Sequence, residues 1–140
     1  MVVDSSAILA ILFAEPDASV FAKAISEAES CKISAATFVE VAVVVEAHTK
    51  DSGSRQLDAF LRRAGIEIQS VTEEQAHLAR QAYSDFGKGH HPAGLNFGDC
   101  FSYPDQGTSP LAKAMGEPLL FKGNDFSKTD LVPVAPDPTN

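Results

Sequence analysis

The sequence has no tryptophan, only two cysteines, and fewer basic than acidic residues: Lys and Arg total 11 against 19 for Asp and Glu. Each shortage excludes something. Cys31 and Cys100 lie far apart, so neither a disulfide framework nor a zinc-type cysteine cluster is available, and both are expected to be reduced core thiols. The formal charge of −8 argues against broad nucleic-acid binding, which needs Lys and Arg along the phosphates. It leaves room for a small nuclease site, because a bound divalent ion reverses the local sign. No apolar run approaches the ~20 residues of a membrane helix, so no membrane role is expected. Met1 leads straight into the first apolar run, which leaves no room for a signal peptide, and a cytoplasmic protein is expected. A glycine-rich nucleotide loop and a Ser-His-Asp nucleophile pattern are also missing.

What is present suffices for one core. The chain has 140 residues, of which 44% are apolar. Ser5 or Ser6 caps a first helix running to about Phe13. Glu15-Pro16 restarts helix, with Ala18, Phe21, Ala22 and Ile25 on one face. Cys31 to Ser34 reads as a strand. Ala35 to about His48 reads as a helix that is apolar nearly all round and so expected to be buried. Leu57, Phe60, Leu61 and Ala64 mark an amphipathic helix ended by Gly65. Ile66 to Val71 alternates as a strand does. Thr72 and Gln75 fit a capping box that opens a helix to about Phe86. Gly87 to Gly94 is a loop, a helix starts near Leu95 or Asn96, Pro118 to Phe121 is a strand, and Val132 to Val134 fits a last edge strand. Strands alternating with helices predict an α/β fold, a parallel sheet with helices on both faces.

Pro104 to Pro110 does not suit a helix interior. Omitting six residues restores an apolar stripe of Phe97, Phe101, Leu111 and Met115. Residues 104–110 are therefore read as an insertion in one helix, which Ser109-Pro110 would restart.

Four acids stand where acids are costly. Asp4 ends the run Met1-Val2-Val3. Glu40 interrupts the apolar run from Phe38 to Val45. Asp99 lies in Asn96-Phe97-Gly98-Asp99-Cys100, and Asp125 follows Leu119-Leu120-Phe121. Buried carboxylates need cations or donors, or they lose their charge. No Lys or Arg lies within four residues of Asp4, Glu40 or Asp99, so a shared divalent ion is the economical explanation.

Asp4-Ser5-Ser6-Ala7, Glu40, Asn96-Phe97-Gly98-Asp99-Cys100 and Leu119-Leu120-Phe121-Lys122-Gly123-Asn124-Asp125-Phe126 occur in this order. In these motifs the chain resembles the PIN-domain ribonucleases, in particular VapC toxins of VapBC toxin–antitoxin pairs. The resemblance covers residues 1–133, expected to form one domain, with 134–140 a flexible tail. It implies a three-layer α/β/α fold with about five parallel strands. It also implies Mg²⁺ dependence (Mn²⁺ substituting), RNA cleavage, homodimers, and inhibition by a VapB-type antitoxin. Asp4, Glu40, Asp99 and Asp125 would be the catalytic, metal-holding acids. Ser6 matches a hydroxyl residue that supports the first of them. Many members carry a further acid where this chain has Gly123.

Asn96 suits either support of the Asp99 region or phosphate contact, and a plain helix cap accounts for it as well. Lys88, His90 and His91, in a loop without acids, suit RNA contact, as does Lys122. Phosphodiester hydrolysis by water at such a site yields 5′-phosphate and 3′-hydroxyl ends. Two rivals remain: a catalytically impaired interaction module on the same fold, and a metal-dependent phosphohydrolase of small substrates. The second is disfavoured because no further Asp stands two residues after Asp4.

Overall fold

The computed structural model describes residues 1–49, 52–102 and 117–123. In chain order its elements are β1 (Val2–Val3), α1 (Ser5–Leu12), α2 (Ala18–Glu27), β2 (Cys31–Ser34), α3 (Ala35–Thr49), α4 (Gly53–Ala64), β3 (Ile66–Gln69), α5 (Glu73–Phe86), α6 (Phe97–Ser102) and β4 (Leu119–Leu120). Among the described residues the sheet has four strands, all parallel, in the order β3-β2-β1-β4. The expected fifth strand at Val132 to Val134, the 104–110 insertion and the 134–140 tail lie outside the described residues.

The sheet divides the core in two because successive strand residues face opposite sides. Val3 and Leu120 join Ile8, Ile33, Val41 and Leu57 on one face. Val2 and Leu119 join Ala79, Ala82, Leu95 and Cys100 on the other. Helices thus cover both faces, giving the expected three layers. β2 and β3 are added on one side of β1 and β4 on the other, so the chain reverses its direction of growth at β1. Ligands in open parallel sheets gather outside the carboxyl ends of strands at such a switch. Asp4 follows β1 at that place.

Local signals explain most boundaries. Thr72 and Gln75 form the reciprocal capping box of α5, with Gln75 N–H to Thr72 Oγ1 at 3.2 Å and Thr72 N–H to Gln75 Oε1 at 3.0 Å. Gly65, at φ 64°, closes α4 in the left-handed conformation that glycine adopts without strain. Three expectations need correction. The cap of α1 is Asp4 rather than Ser5 or Ser6, since the Asp4 carboxylate accepts the Ser6 backbone N–H. α2 begins at Ala18 rather than at Pro16, and its N-cap Asp17 makes no side-chain cap bond, because its carboxylate is engaged by Lys122. α3 is not buried all round. It buries Thr37, Val41 and Val45, while Val39 and Val43 are 57% and 64% exposed. A helix on one face of a sheet has an outer side, whatever its composition.

Among the described residues no helix is long and apolar enough to cross a membrane.

Candidate metal-binding acidic site

Asp4 is the N-cap of α1, and its two carboxylate oxygens are used differently. Oδ2 accepts the Ser6 backbone N–H at 2.9 Å and the Ser6 hydroxyl at 2.5 Å. The Ser6 oxygen itself accepts the backbone N–H of Lys122, just beyond β4, at 2.9 Å. Ser6 therefore ties the β4 exit to Asp4 and fixes the carboxylate's rotation. Oδ1 is buried and has no hydrogen-bond partner among the described residues. Capping and ion binding do not compete here, because each draws on a different oxygen.

Glu40 projects from α3 toward the same end of the sheet. Its Oε2 is also buried without a partner among the described residues. Burial raises its pKa above the usual carboxylate value, and the charge on Asp4 pushes the same way. The Ser5 side chain, bonded to Glu40, pulls it back. A buried acid whose charge is made costlier by a neighbouring carboxylate marks an electrostatic site for a cation.

Asp99 is the third residue of α6. Asn96 caps that helix: the Asp99 N–H donates to Asn96 Oδ1 at 2.9 Å, and the Asn96 N–H donates to Asp99 Oδ2 at 2.8 Å. This reciprocal pair locks the Asp99 side chain and leaves its second oxygen outside the box. Asn96 does here what a helix cap does, and in doing so it orients an acid. Asp99 also bears on its neighbour Cys100, whose thiol is pushed up to about 12 by burial, with the Asp99 charge adding to the effect.

α3 and α6 meet at Gly98. A Cβ placed there would stand 1.9 Å from Glu40 Oε2 and 2.2 Å from Oε1. The missing side chain makes the room that the Glu40 carboxylate fills, which brings Glu40 against the residue preceding Asp99. Deeper in the same seam, Thr37 Oγ1 and Ser102 Oγ lie 3.4 Å apart and buried. Among the described residues no three His, Cys, Asp or Glu side chains are gathered closely enough to enclose an ion. The structure brings Asp4 and Glu40 together, with Asp99 one residue beyond the contact. Asp125 lies outside the described residues. Gly123 has φ +100°, a conformation L side chains rarely adopt, so an acid at that position would be strained in this turn.

The donor set fits a hard divalent cation. It consists of carboxylate oxygens, and two of them are buried and unpartnered, a costly state that a bound cation would relieve.

The basic candidates fall into two groups. Lys88 is exposed, and the loop that carries it is pinned to the start of α6 by Lys88 N–H to Leu95 O and Leu95 N–H to Phe86 O, both 2.9 Å. His90 stands edge-on to Tyr83 at 5.7 Å between ring centroids, and His91 to Phe86 at 5.0 Å. His91 Nδ1 accepts the Ala93 N–H at 3.1 Å. Lys122 is placed otherwise. Its ammonium is bonded to Glu15 and, at 2.8 Å, to Asp17, so it pins the α1–α2 turn to the β4 exit. Ser5 and Gly98 were not legible as site residues. Ser5 looked like one of two alternative caps, and a glycine that makes room for an acid 58 positions earlier leaves no mark in its own neighbourhood.

Comparison with known proteins agrees with this geometry. The PIN domain family matches residues 1–131. The chain is 47% identical over 135 residues to "VapC ribonuclease Mb0640" of Mycobacterium bovis, covering 96% of this chain and 98% of that protein. "Ribonuclease VapC30" of Mycobacterium tuberculosis is 47% identical over the same share of both chains. "Ribonuclease VapC" of Mycolicibacterium smegmatis is 46% identical over 134 residues, 96% of this chain and 99% of that one. An acid at the switch point of a parallel sheet, a second pressed against it from α3, and relatives matched over nearly their full length lead to one assignment: the chain belongs to the PIN-domain family, among the VapC ribonucleases.

Proposed function

We propose that this chain is a divalent-metal-dependent endoribonuclease, the toxin of a toxin–antitoxin pair, hydrolysing RNA phosphodiesters to 5′-phosphate and 3′-hydroxyl ends. The observation that carries the reading is the pair of buried, unpartnered oxygens Asp4 Oδ1 and Glu40 Oε2 at the carboxyl end of β1. Asp4, Glu40, Asp99 and Asp125 would hold Mg²⁺, or Mn²⁺ in its place. The ion supplies charge neutralisation at the scissile phosphate and lowers the pKa of the attacking water. The protein's own groups do the rest. Ser6 holds Asp4 in one rotamer, Asn96 does the same for Asp99, and Gly98 gives Glu40 its place. Glu40 would share the ion with Asp4 through the oxygen that burial leaves unpartnered among the described residues. Lys88, His90 and His91 would contact RNA phosphates beside α6. Lys122 would join them only by leaving Glu15 and Asp17.

An acidic basin of this kind also invites inhibition. A VapB-type antitoxin presenting Arg or Lys would place its cation among the same oxygens. The homodimer expected of the family would cover the exposed Val39 and Val43 side of α3. The setting proposed for the pair is the cytoplasm.

The test is cleavage of an RNA pool by purified protein with Mn²⁺, with the fragment ends sequenced, beside Asp99→Asn. Asparagine can still accept the Asn96 N–H, so the variant should fold and lose cleavage by roughly 10²-fold or more. Cleavage by the variant at the wild-type rate would reject the site. Fragments ending in 2′,3′-cyclic phosphate would reject attack by water. In the antitoxin, replacement of the blocking cation by Ala should restore cleavage in the complex.

A further inference from the structure

A groove of about 590 Å³ runs between α5 and α6, a size typical of small-ligand sites. Its walls carry Arg80, Tyr83, Lys88, Asn96, Phe97 and Phe101, and among the described residues no acid lines it. In a chain of net charge −8 such a patch is locally positive. Neither Arg80 nor Lys88 is ion-paired among the described residues. Phe97 is 74% exposed, the most open large apolar side chain among the described residues, yet its ring is held edge-on to Phe101 at 5.1 Å and 64°. Tyr83 is 42% exposed, and its hydroxyl donates to Lys88 O at 3.5 Å. Asn96, at one end of the groove, is the residue that orients Asp99. Groove and acidic site therefore share the first turn of α6.

We propose that this groove seats an unpaired base of the RNA substrate, stacked on Phe97, with the flanking phosphates held by Arg80 and Lys88. The proposal rests on the ribonuclease reading and adds to it a base-binding subsite next to the cut. Exposed rings beside unpaired cations are how proteins hold single-stranded nucleic acid without reading a duplex. An apolar protein partner would find the same floor, but it would leave both cations without counter-charge. A polyanion supplies that counter-charge.

The experiment separates binding from cleavage. A single-stranded RNA of about ten nucleotides, within the ~4–16 covered by known single-strand modules, carries one 2-aminopurine and is titrated in EDTA. The wild type should quench the fluorophore. Phe97→Ala and Phe97→Leu should both abolish the quench and weaken binding about tenfold, because leucine restores apolar bulk but no ring. Arg80→Gln with Lys88→Gln should flatten the salt dependence by about two ions. All three side chains are exposed, so thermal unfolding should match the wild type. Wild-type quenching and salt slope in these variants would overturn the groove while leaving the nuclease intact. A protein that cleaves no RNA yet shows these losses would keep the groove and overturn the nuclease. If Phe97→Ala instead turns a dimer into a monomer in sedimentation, the groove belongs to a second copy and the proposal fails.

Discussion

Replacing Gly98 by Ala should remove activity without removing stability. Gly98 sits in the first turn of α6 in ordinary helical conformation, where alanine is favoured over glycine by up to about 1 kcal/mol. Its three nearest neighbours are all atoms of the Glu40 carboxyl group, the first at 1.9 Å. That group is the far end of a flexible side chain, so it can yield. To reach ordinary van der Waals separation it must retreat by about 1.5 Å. A misplacement of roughly 1 Å at a reacting centre costs on the order of 10²-fold in rate. The variant should therefore unfold at or slightly above the wild-type temperature in EDTA, bind Mn²⁺ more weakly by calorimetry, and cleave RNA at least about 10²-fold more slowly. A second change sharpens the test. Glu40→Asp withdraws the carboxylate by one methylene, about the length that the new methyl group takes up. The double variant should cleave faster than either single one, a coupling that independent effects cannot produce. Cleavage by Gly98→Ala within a few-fold of wild type, or a double variant no better than the product of the singles, would refute the argument.

Other outcomes follow from the same geometry. Ser6→Ala strips an acceptor from the Lys122 N–H and a donor from Asp4 Oδ2, and should cost about 1–3 kcal/mol in denaturant unfolding as well as slowing cleavage. Glu40 has a raised pKa in the folded state, so its contribution to stability is intact below the ordinary value of 4.5 and lost as pH rises through the raised one. Glu40→Gln should accordingly stabilise the metal-free protein at neutral pH and lose that advantage near pH 4. Mg²⁺ should raise the melting temperature of the wild type but not of this variant. Cys100, buried with its thiol pushed up to about 12, should resist iodoacetamide at pH 8 until the protein is unfolded.

Much of this was legible in the chain. β2 was legible at its observed bounds, Cys31 to Ser34, and the start of α5 from a cap whose two members lie three residues apart. The acids drew notice because an acid in an apolar run is a local anomaly. Contacts between distant segments were not legible. Lys122 looked like a free cation beside the site until the fold set Glu15 and Asp17, more than a hundred residues away, against it. α3 looked buried because composition reports how apolar a helix is, not how many sides have neighbours. Val39 and Val43 lie where it has none among the described residues.

The two hydrogen bonds to Asp4 Oδ2 bear on which ion the basin selects. A carboxylate oxygen offers about two lone-pair sites, and the Ser6 N–H and hydroxyl take both on Oδ2, so Asp4 is restricted to a one-point contact through Oδ1. Calcium favours six to eight oxygens and often takes both from a single carboxylate, whereas magnesium accepts a few single oxygens and keeps its water. By filling half of this acid in advance, one serine biases the basin toward the smaller ion.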